Sequence, residues 1–167
     1  LGFLAAISPF AIDMYLPALK QIATEFKTTT ARISLSISSY FIGLAVGQLM
    51  YGPLLDRFGR KKPLYVGLII FTVASIGCMR AVNVEMLVAF RFIQAIGGCV
   101  AWVAAMTMVR DFFPVSESAK IFSLLVLVIG LSPLLAPTLG GYISTALGWQ
   151  WVFAFLAVFV VVILLLV

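Results

Sequence analysis

The sequence contains no histidine and few charged residues. Its 167 residues include 11 Lys and Arg and 6 Asp and Glu, so that only 10% of the chain is charged. The absence of histidine excludes most zinc sites and any Ser-His or Cys-His catalytic arrangement. Cys78 and Cys99 are the only cysteines and lie inside apolar segments, so neither a disulfide framework nor a CxxC metal site is indicated. We therefore expect no enzymatic activity, no metal site and no cofactor.

Apolar residues are abundant instead, at 63% of the chain. A soluble domain is about half apolar and about a quarter charged, and a domain this small has too much surface for its volume to bury the excess. The net charge of +5 lies in short clusters between apolar runs. Such clusters are typical of membrane-protein loops and not of a nucleic-acid-binding face. The composition predicts an integral membrane protein that contacts the lipid bilayer and has no nucleic-acid partner.

The apolar runs predict the number of membrane spans. A helix of about 20 apolar residues crosses the ~30 Å hydrocarbon core of a bilayer. Runs of this kind, divided near residues 144–150 by a cluster of polar, Gly and Trp residues, predict spans at about 1–19, 33–55, 63–79, 86–109, 121–143 and 149–167. The fold class predicted is an all-α membrane protein with a bundle of six transmembrane helices.

The basic residues of the loops predict the orientation of the bundle. Six lie in the loops after the second and fourth spans, namely Arg57, Arg60, Lys61, Lys62, Arg110 and Lys120. The loops on the opposite side hold four, which are Lys20, Lys27, Arg32 and Arg80. The positive-inside rule then places the 57–62 cluster in the cytoplasm, and the N-terminus on the same side.

The loop between the second and third predicted spans has a distinctive order. It reads Gly-x-x-x-Asp-Arg-x-Gly-Arg-Lys and includes Gly52, Asp56, Arg57, Gly59 and Arg60. A glycine permits backbone geometry that few other residues reach, and cations suit an anionic leaflet. A solvated basic loop would explain the cations but not the fixed order. This order resembles the signature loop between the second and third helices of major facilitator superfamily transporters.

Four other segments resemble the drug/proton antiporter branch of that superfamily. The stretches 13–19 and 110–114 look like those of Bcr/CflA multidrug resistance transporters. Residues 91–97 look like its Arg-x-x-Gln-Gly motif, with Ala95 at the Gly position. Residues 133–141 resemble the antiporter motif Gly-Pro-x-x-Gly-Gly, with Ala136 at its first Gly. The residues that carry this last likeness are Pro133, Pro137, Gly140 and Gly141.

The resemblance implies a fold larger than this chain. Such transporters have twelve helices in two six-helix halves, with the substrate site between the halves. Since the sequence starts and stops inside apolar runs, we expect it to be the N-terminal half, with the C-terminal half as its missing partner. The implied location is the bacterial inner membrane.

Asp13 and Arg91 are the charged residues well inside the predicted spans, at similar depth in the outer half of the membrane. Placing a charge near the bilayer centre costs about 3 kcal/mol on insertion scales, so such residues are functional candidates. In one interpretation Asp13 faces a central cavity and binds alternately a proton and a cationic or polar drug, while Arg91 tunes it or contacts the substrate. In the other, the two residues neutralise each other or cap backbone groups beside Pro17.

Two further expectations concern an ion pair on the cytoplasmic side and the fifth predicted span. We predict an ion pair between Asp56 and Arg110, which the resemblance implies to be a gate that breaks during alternating access. Pro133 and Pro137 each remove a backbone donor, which predicts a kinked, closely packed helix; the resemblance adds a seal against proton leak.

Four polar or amphipathic residues are candidates for lining a cavity, although packing explains them equally well. They are Tyr15, Tyr40, Gln48 and Gln94. The function predicted is a secondary active transporter, with proton-coupled efflux of drugs or other small molecules by alternating access, and with the proton as coupling ion. A metabolite transporter of the same fold and a non-transporting membrane protein remain alternatives.

Overall fold

A computed structural model describes residues 1–167, apart from the side chain of Val115. The helices are α1 (Gly2–Asp13), α2 (Leu19–Glu25), α3 (Thr30–Phe58), α4 (Lys61–Met79), α5 (Val84–Phe112), α6 (Val115–Ala146) and α7 (Gln150–Leu166), with a 3-10 turn at Leu16–Ala18. The α1–α2 stretch and helices α3 to α6 are each long and apolar enough to cross a membrane, and α7 is a shorter apolar helix of 17 residues. The predicted all-α membrane fold is confirmed.

The first helical segment is interrupted and is longer than the predicted span 1–19. Helix α1 ends at Asp13, and after the turn that contains Pro17 the chain is helical again as far as Glu25. The backbone N–H of Tyr15 donates to the Ile12 carbonyl, three residues back, at 3.2 Å. A regular α-helix would direct this bond to Ala11, four residues back. The tighter turn therefore frees the Ala11 carbonyl.

Helix α5 is the centre of the bundle, and it packs closely on α3 and α4 through small residues. A methyl group added to Gly43 of α3 would lie 2.6 Å from the Phe92 carbonyl oxygen of α5. A methyl group on Gly97 of α5 would lie 2.5 Å from the backbone nitrogen of Phe71 in α4. Small residues allow helices in lipid to approach to van der Waals contact of their backbones. The glycines thus fix the spacing around α5.

Helices α6 and α7 close the bundle around the interrupted first segment. Gly140 of α6 lies against the backbone of Met14, where an added methyl would be only 2.1 Å from the carbonyl oxygen. Trp149, which precedes α7 and is 1% exposed, donates from Nε1 to Glu25 Oε2 at 2.5 Å. The break between α1 and α2 is therefore held by packing on α6, and the end of α2 is bonded to the start of α7.

Candidate functional site

An open cavity of about 420 Å³ lies between α1, α3, α5 and α6. Its walls are mainly apolar and are formed by Ala5, Ser8, Pro9, Ile12, Asp13, Phe41, Leu44, Gln48, Cys99, Trp102, Ile129 and Pro133. Asp13 is the only charged side chain among the described residues that line it. Concave, largely apolar pockets with a few polar groups are typical small-molecule sites. The cavity is therefore the candidate binding site.

Asp13 reaches this cavity because α1 ends there. It is the last residue of α1, is partly exposed, and stands just before the turn that Pro17 helps to form. Helices interrupted inside the membrane commonly form the substrate and ion sites of secondary transporters. A carboxylate in this position can bind a proton or accept hydrogen bonds from a cation in the cavity.

Arg91 is completely buried behind the cavity wall, in a cage of aromatic rings. Its guanidinium carbon lies 4.2 Å from the ring centre of Tyr40, 4.6 Å from that of Tyr15 and 5.8 Å from that of Phe153. A cation over an aromatic face is attracted by the negative potential of the ring, and the attraction is stronger away from water. The cage stabilises a charge that would otherwise be costly to bury.

The same guanidinium bonds to the carbonyl that the break after α1 sets free. Arg91 Nη1 donates to the Ala11 carbonyl at 3.0 Å and to Gln94 Oε1 at 2.8 Å. The Gln94 amide in turn donates to Ser75 Oγ at 2.7 Å. The end of α1 carries a partial negative charge from its aligned peptide dipoles, which also favours a cation. Arg91 thus ties α1, α4 and α5 together at the level of Asp13.

Asp13 and Arg91 are not an ion pair. Within the described part of the chain, no salt bridge joins these two residues; the bridges present are Arg32–Glu85 and Arg60–Asp111. Of the two interpretations, mutual neutralisation is wrong, because Arg91 is directed at the rings and at Ala11. The backbone-capping part of the same interpretation fits Arg91.

Of the four residues considered as cavity-lining candidates, one lines the cavity and three do not. Gln48 lines the cavity, whereas Tyr15, Tyr40 and Gln94 are completely buried and surround Arg91. For these three residues cavity lining is wrong and the packing alternative fits, because a buried cation recruits the neighbouring aromatic and amide groups. Tyr15 also shares a hydrogen bond of 2.8 Å with Ser36.

The predicted ion pair between Asp56 and Arg110 is also wrong. The loop after α3 is joined to the end of α5 instead by Arg60 Nη2 and Asp111 Oδ2, at 2.6 Å. Asp56 is still within α3 and exposed, whereas Arg60 follows the turn after α3. Adjacent residues of a helix point about 100° apart, so Asp111 and Arg110 face different directions.

The turn residue Gly59 has the backbone geometry that the loop motif predicted. Its φ angle is +77°, a region that residues with a side chain rarely adopt. Gly52 has open space around it. The Arg57 guanidinium lies 5.4 Å from the ring centre of Phe58. The turn directs Arg60 towards α5.

The motif of the fifth predicted span contacts both the cavity and the helix break. Pro133 lines the cavity, Gly140 packs on Met14, and a methyl group added to Gly141 would make only ordinary contact with Pro17. Pro133 and Pro137 are both inside α6, which is helical on each side of them. The motif residues therefore lie beside the segment that carries Asp13.

Trp102 and Ser75 were not predicted as site residues. Trp102 lies within α5, away from the membrane interface where Trp is commonest, and that position was a usable signal. Ser75 offered none, since serine is common in membrane helices. In the described residues, no cluster of three or more His, Cys, Asp or Glu is placed to hold a metal ion.

Comparison with known proteins supplies the family. The sequence profile of the Major Facilitator Superfamily matches residues 1–167. The uncharacterized MFS-type transporter YdgK of Bacillus subtilis is 38% identical over 86% of this chain and 36% of its own length. The bicyclomycin resistance protein homolog of Haemophilus influenzae is 34% identical over 92% of this chain and 38% of its own. The multidrug resistance protein MdtL of Citrobacter koseri is 36% identical over 90% of this chain and 38% of its own length.

The chain thus spans less than two fifths of the length of these curated relatives. The profile match nevertheless covers every residue, and it agrees with the helical bundle, the turn at Gly59 and the apolar cavity. The chain belongs to the Major Facilitator Superfamily.

Proposed function

We propose that this chain is the N-terminal half of a secondary active transporter that exports drug-like small molecules in exchange for protons. The observation that carries the proposal is the position of Asp13, a single carboxylate on the wall of an open, apolar cavity. A drug-sized molecule is bound mainly by apolar contacts and is oriented by a few polar groups. Resistance proteins among the relatives support drugs as the substrate class.

A second half would complete the binding site. The cavity is open, and the relatives are more than twice as long as this chain. We infer that a C-terminal bundle of the same protein covers the opening. The transporter would lie in the bacterial inner membrane with its N-terminus in the cytoplasm, as the density of cations in residues 57–62 favours.

In this mechanism Asp13 exchanges a proton for a cationic substrate. Protonation neutralises the carboxylate, which releases the substrate on one side of the membrane. Deprotonation restores the charge, which attracts a new cation on the other side. Arg91 acts by positioning, since its bond to Ala11 holds the end of α1 and therefore Asp13. The Arg60–Asp111 pair is the contact that would break and form between states. No covalent chemistry is required.

The test uses the full-length protein that contains these residues, expressed in bacteria that lack their own drug exporters. Asp13→Asn should abolish proton-driven drug export and the resistance it gives, while the protein still inserts in the membrane. Glu117→Gln is the matched control, because this exposed carboxylate lies at the start of α6 and does not line the cavity. Normal export by Asp13→Asn would refute the proposal. Export of metabolites only would favour a metabolite transporter.

A further inference from the structure

Two of the residues that line the cavity are prolines in the interior of helices. Pro9 lies within α1 and Pro133 within α6. A proline has no backbone N–H, so the carbonyl four residues before it loses its helical hydrogen bond. The carbonyls concerned belong to Ala5 and Ile129, and both of these residues also line the cavity. Each proline therefore leaves a hydrogen-bond acceptor at the cavity wall.

The two carbonyls are on the cavity side of their helices because of helical spacing. Residues four apart lie on the same face of a helix, so Ala5 is one turn from Pro9 and Ile129 is one turn from Pro133. The ring of a proline stands next to the carbonyl four residues back. Since both members of each pair line the cavity, the face that carries each carbonyl is turned to the cavity.

The neighbouring hydroxyl groups leave these carbonyls unbonded. A serine in a membrane helix can donate to a carbonyl that a proline has freed. Each proline here follows a serine, Ser8 or Ser132, but both hydroxyls are buried and have no hydrogen-bond partner within the described residues. Ser123 and Thr138, on either side of Ser132 in α6, each bond to the carbonyl four residues back. Both freed carbonyls thus remain available to a ligand.

The acceptors are within reach of one small molecule that is bound at Asp13. Asp13 follows Pro9 by four residues and Ala5 by eight, a rise of about 6 Å and about 12 Å along a helix. All three residues line the same cavity of about 420 Å³, together with Ile129 and Pro133. This volume is in the range that holds a drug-sized molecule. A single ligand can therefore contact the carboxylate and a freed carbonyl at once.

We infer that the cavity selects cations that carry a further hydrogen-bond donor, a hydroxyl or N–H group that bonds to the carbonyl of Ala5 or Ile129 while the charge stays at Asp13. This inference rests on the proposed function and deepens it, because it narrows the substrate class from cationic drugs to cations with a second donor. A site that hydrogen-bonds a substrate group disfavours the analogue without that group, since its own acceptor is then left unpaired. Pro9 and Pro133 are accordingly specificity-determining residues.

The experiment measures binding to the purified full-length protein by calorimetry. The donor probe is a naphthalene with an aminoethyl group on one ring and a hydroxyl group at the far end of the other. The matched probe is its methyl ether, which has the same charge and rings but cannot donate at that end. The wild type should bind the hydroxyl probe about threefold to tenfold more tightly, as expected for one net hydrogen bond.

The double variant Pro9→Ala/Pro133→Ala should bind the two probes equally, because each alanine N–H bonds to the carbonyl four residues back. Where the double variant does not fold, the single variants give the same test, and at least one of them should lower the preference. Pro53→Ala is the matched control. It makes the same change inside α3, and neither Pro53 nor Leu49, whose carbonyl it would bond, lines the cavity. This variant should keep the preference of the wild type.

Three results would overturn the inference. They are equal binding of the two probes by the wild type, binding of neither probe, and a preference that survives when both prolines are replaced. Failure of the proposed function is recognised separately, because it appears as normal proton-driven export by Asp13→Asn, whatever the two probes show.

Discussion

Gly140 offers a sharp test of how α6 packs on the broken first helix. We consider Gly140→Ala. The added methyl group would lie 2.1 Å from the Met14 carbonyl oxygen, whereas ordinary contacts begin at 3.4 Å. The two segments must therefore separate by about 1.3 Å, the difference between these distances. The obstructing atom belongs to the backbone and cannot rotate away as a side chain would.

The expected loss of stability is about 2 kcal/mol. Overpacking of a close contact costs about 1–3 kcal/mol, and a backbone obstacle places this site at the upper end. Alanine recovers about 1 kcal/mol because it is the better helix former. The next residue predicts a stability change of the opposite sign. In Gly141→Ala the atom nearest to the added methyl group is Pro17 Cβ, at 3.8 Å. That variant should gain up to about 1 kcal/mol, since only the helix propensity changes.

Far-ultraviolet circular dichroism during denaturation of the full-length protein in mild detergent measures both values. Gly130→Ala is a second control on the same helix, because nothing lies within 4 Å of its added methyl group. Equal stability of Gly140→Ala and Gly141→Ala would refute the close approach of α6 to Met14.

Two further predictions concern the charged residues. A double-mutant cycle between Arg60 and Asp111 should give a coupling free energy of about 0.5–1 kcal/mol, as expected for a partly exposed ion pair. The same cycle between Asp56 and Arg110 should give no coupling. Coupling between Asp56 and Arg110 with none between Arg60 and Asp111 would contradict the observed pairing. Arg91→Met should lower the free energy of unfolding by about 2 kcal/mol, since the Ala11 carbonyl loses its bond in a buried place; unchanged thermal unfolding of this variant would show that Arg91 does not hold α1.

The helices were predictable because run length and composition are local properties of the sequence. The unusual geometry at Gly59 was also predictable, since the residues of the turn itself decide it. The break after Asp13 was missed, although Pro17 is nearby. It depends on Gly140, more than 120 residues later, which lets α6 approach the turn.

The environment of Arg91 was not predictable from the sequence. Its charge marked it as unusual, but its partners come from four other helices or turns, and Ala11 lies 80 residues away. The wrong prediction of an ion pair between Asp56 and Arg110 missed the observed pair by only a few residues along the chain. Asp56 is four residues before Arg60 and Arg110 is one residue before Asp111, yet the turn and the helical phase decide which side chains meet.

Proton release on substrate binding tests the role of Asp13 most directly. The purified full-length protein is mixed in weakly buffered detergent solution with a cationic drug, and a pH-sensitive dye reports the protons released. We predict that the wild type releases about one proton for each drug molecule bound and that Asp13→Asn releases none, because one titratable group exchanges a proton for the substrate. Undiminished release by Asp13→Asn would contradict the account.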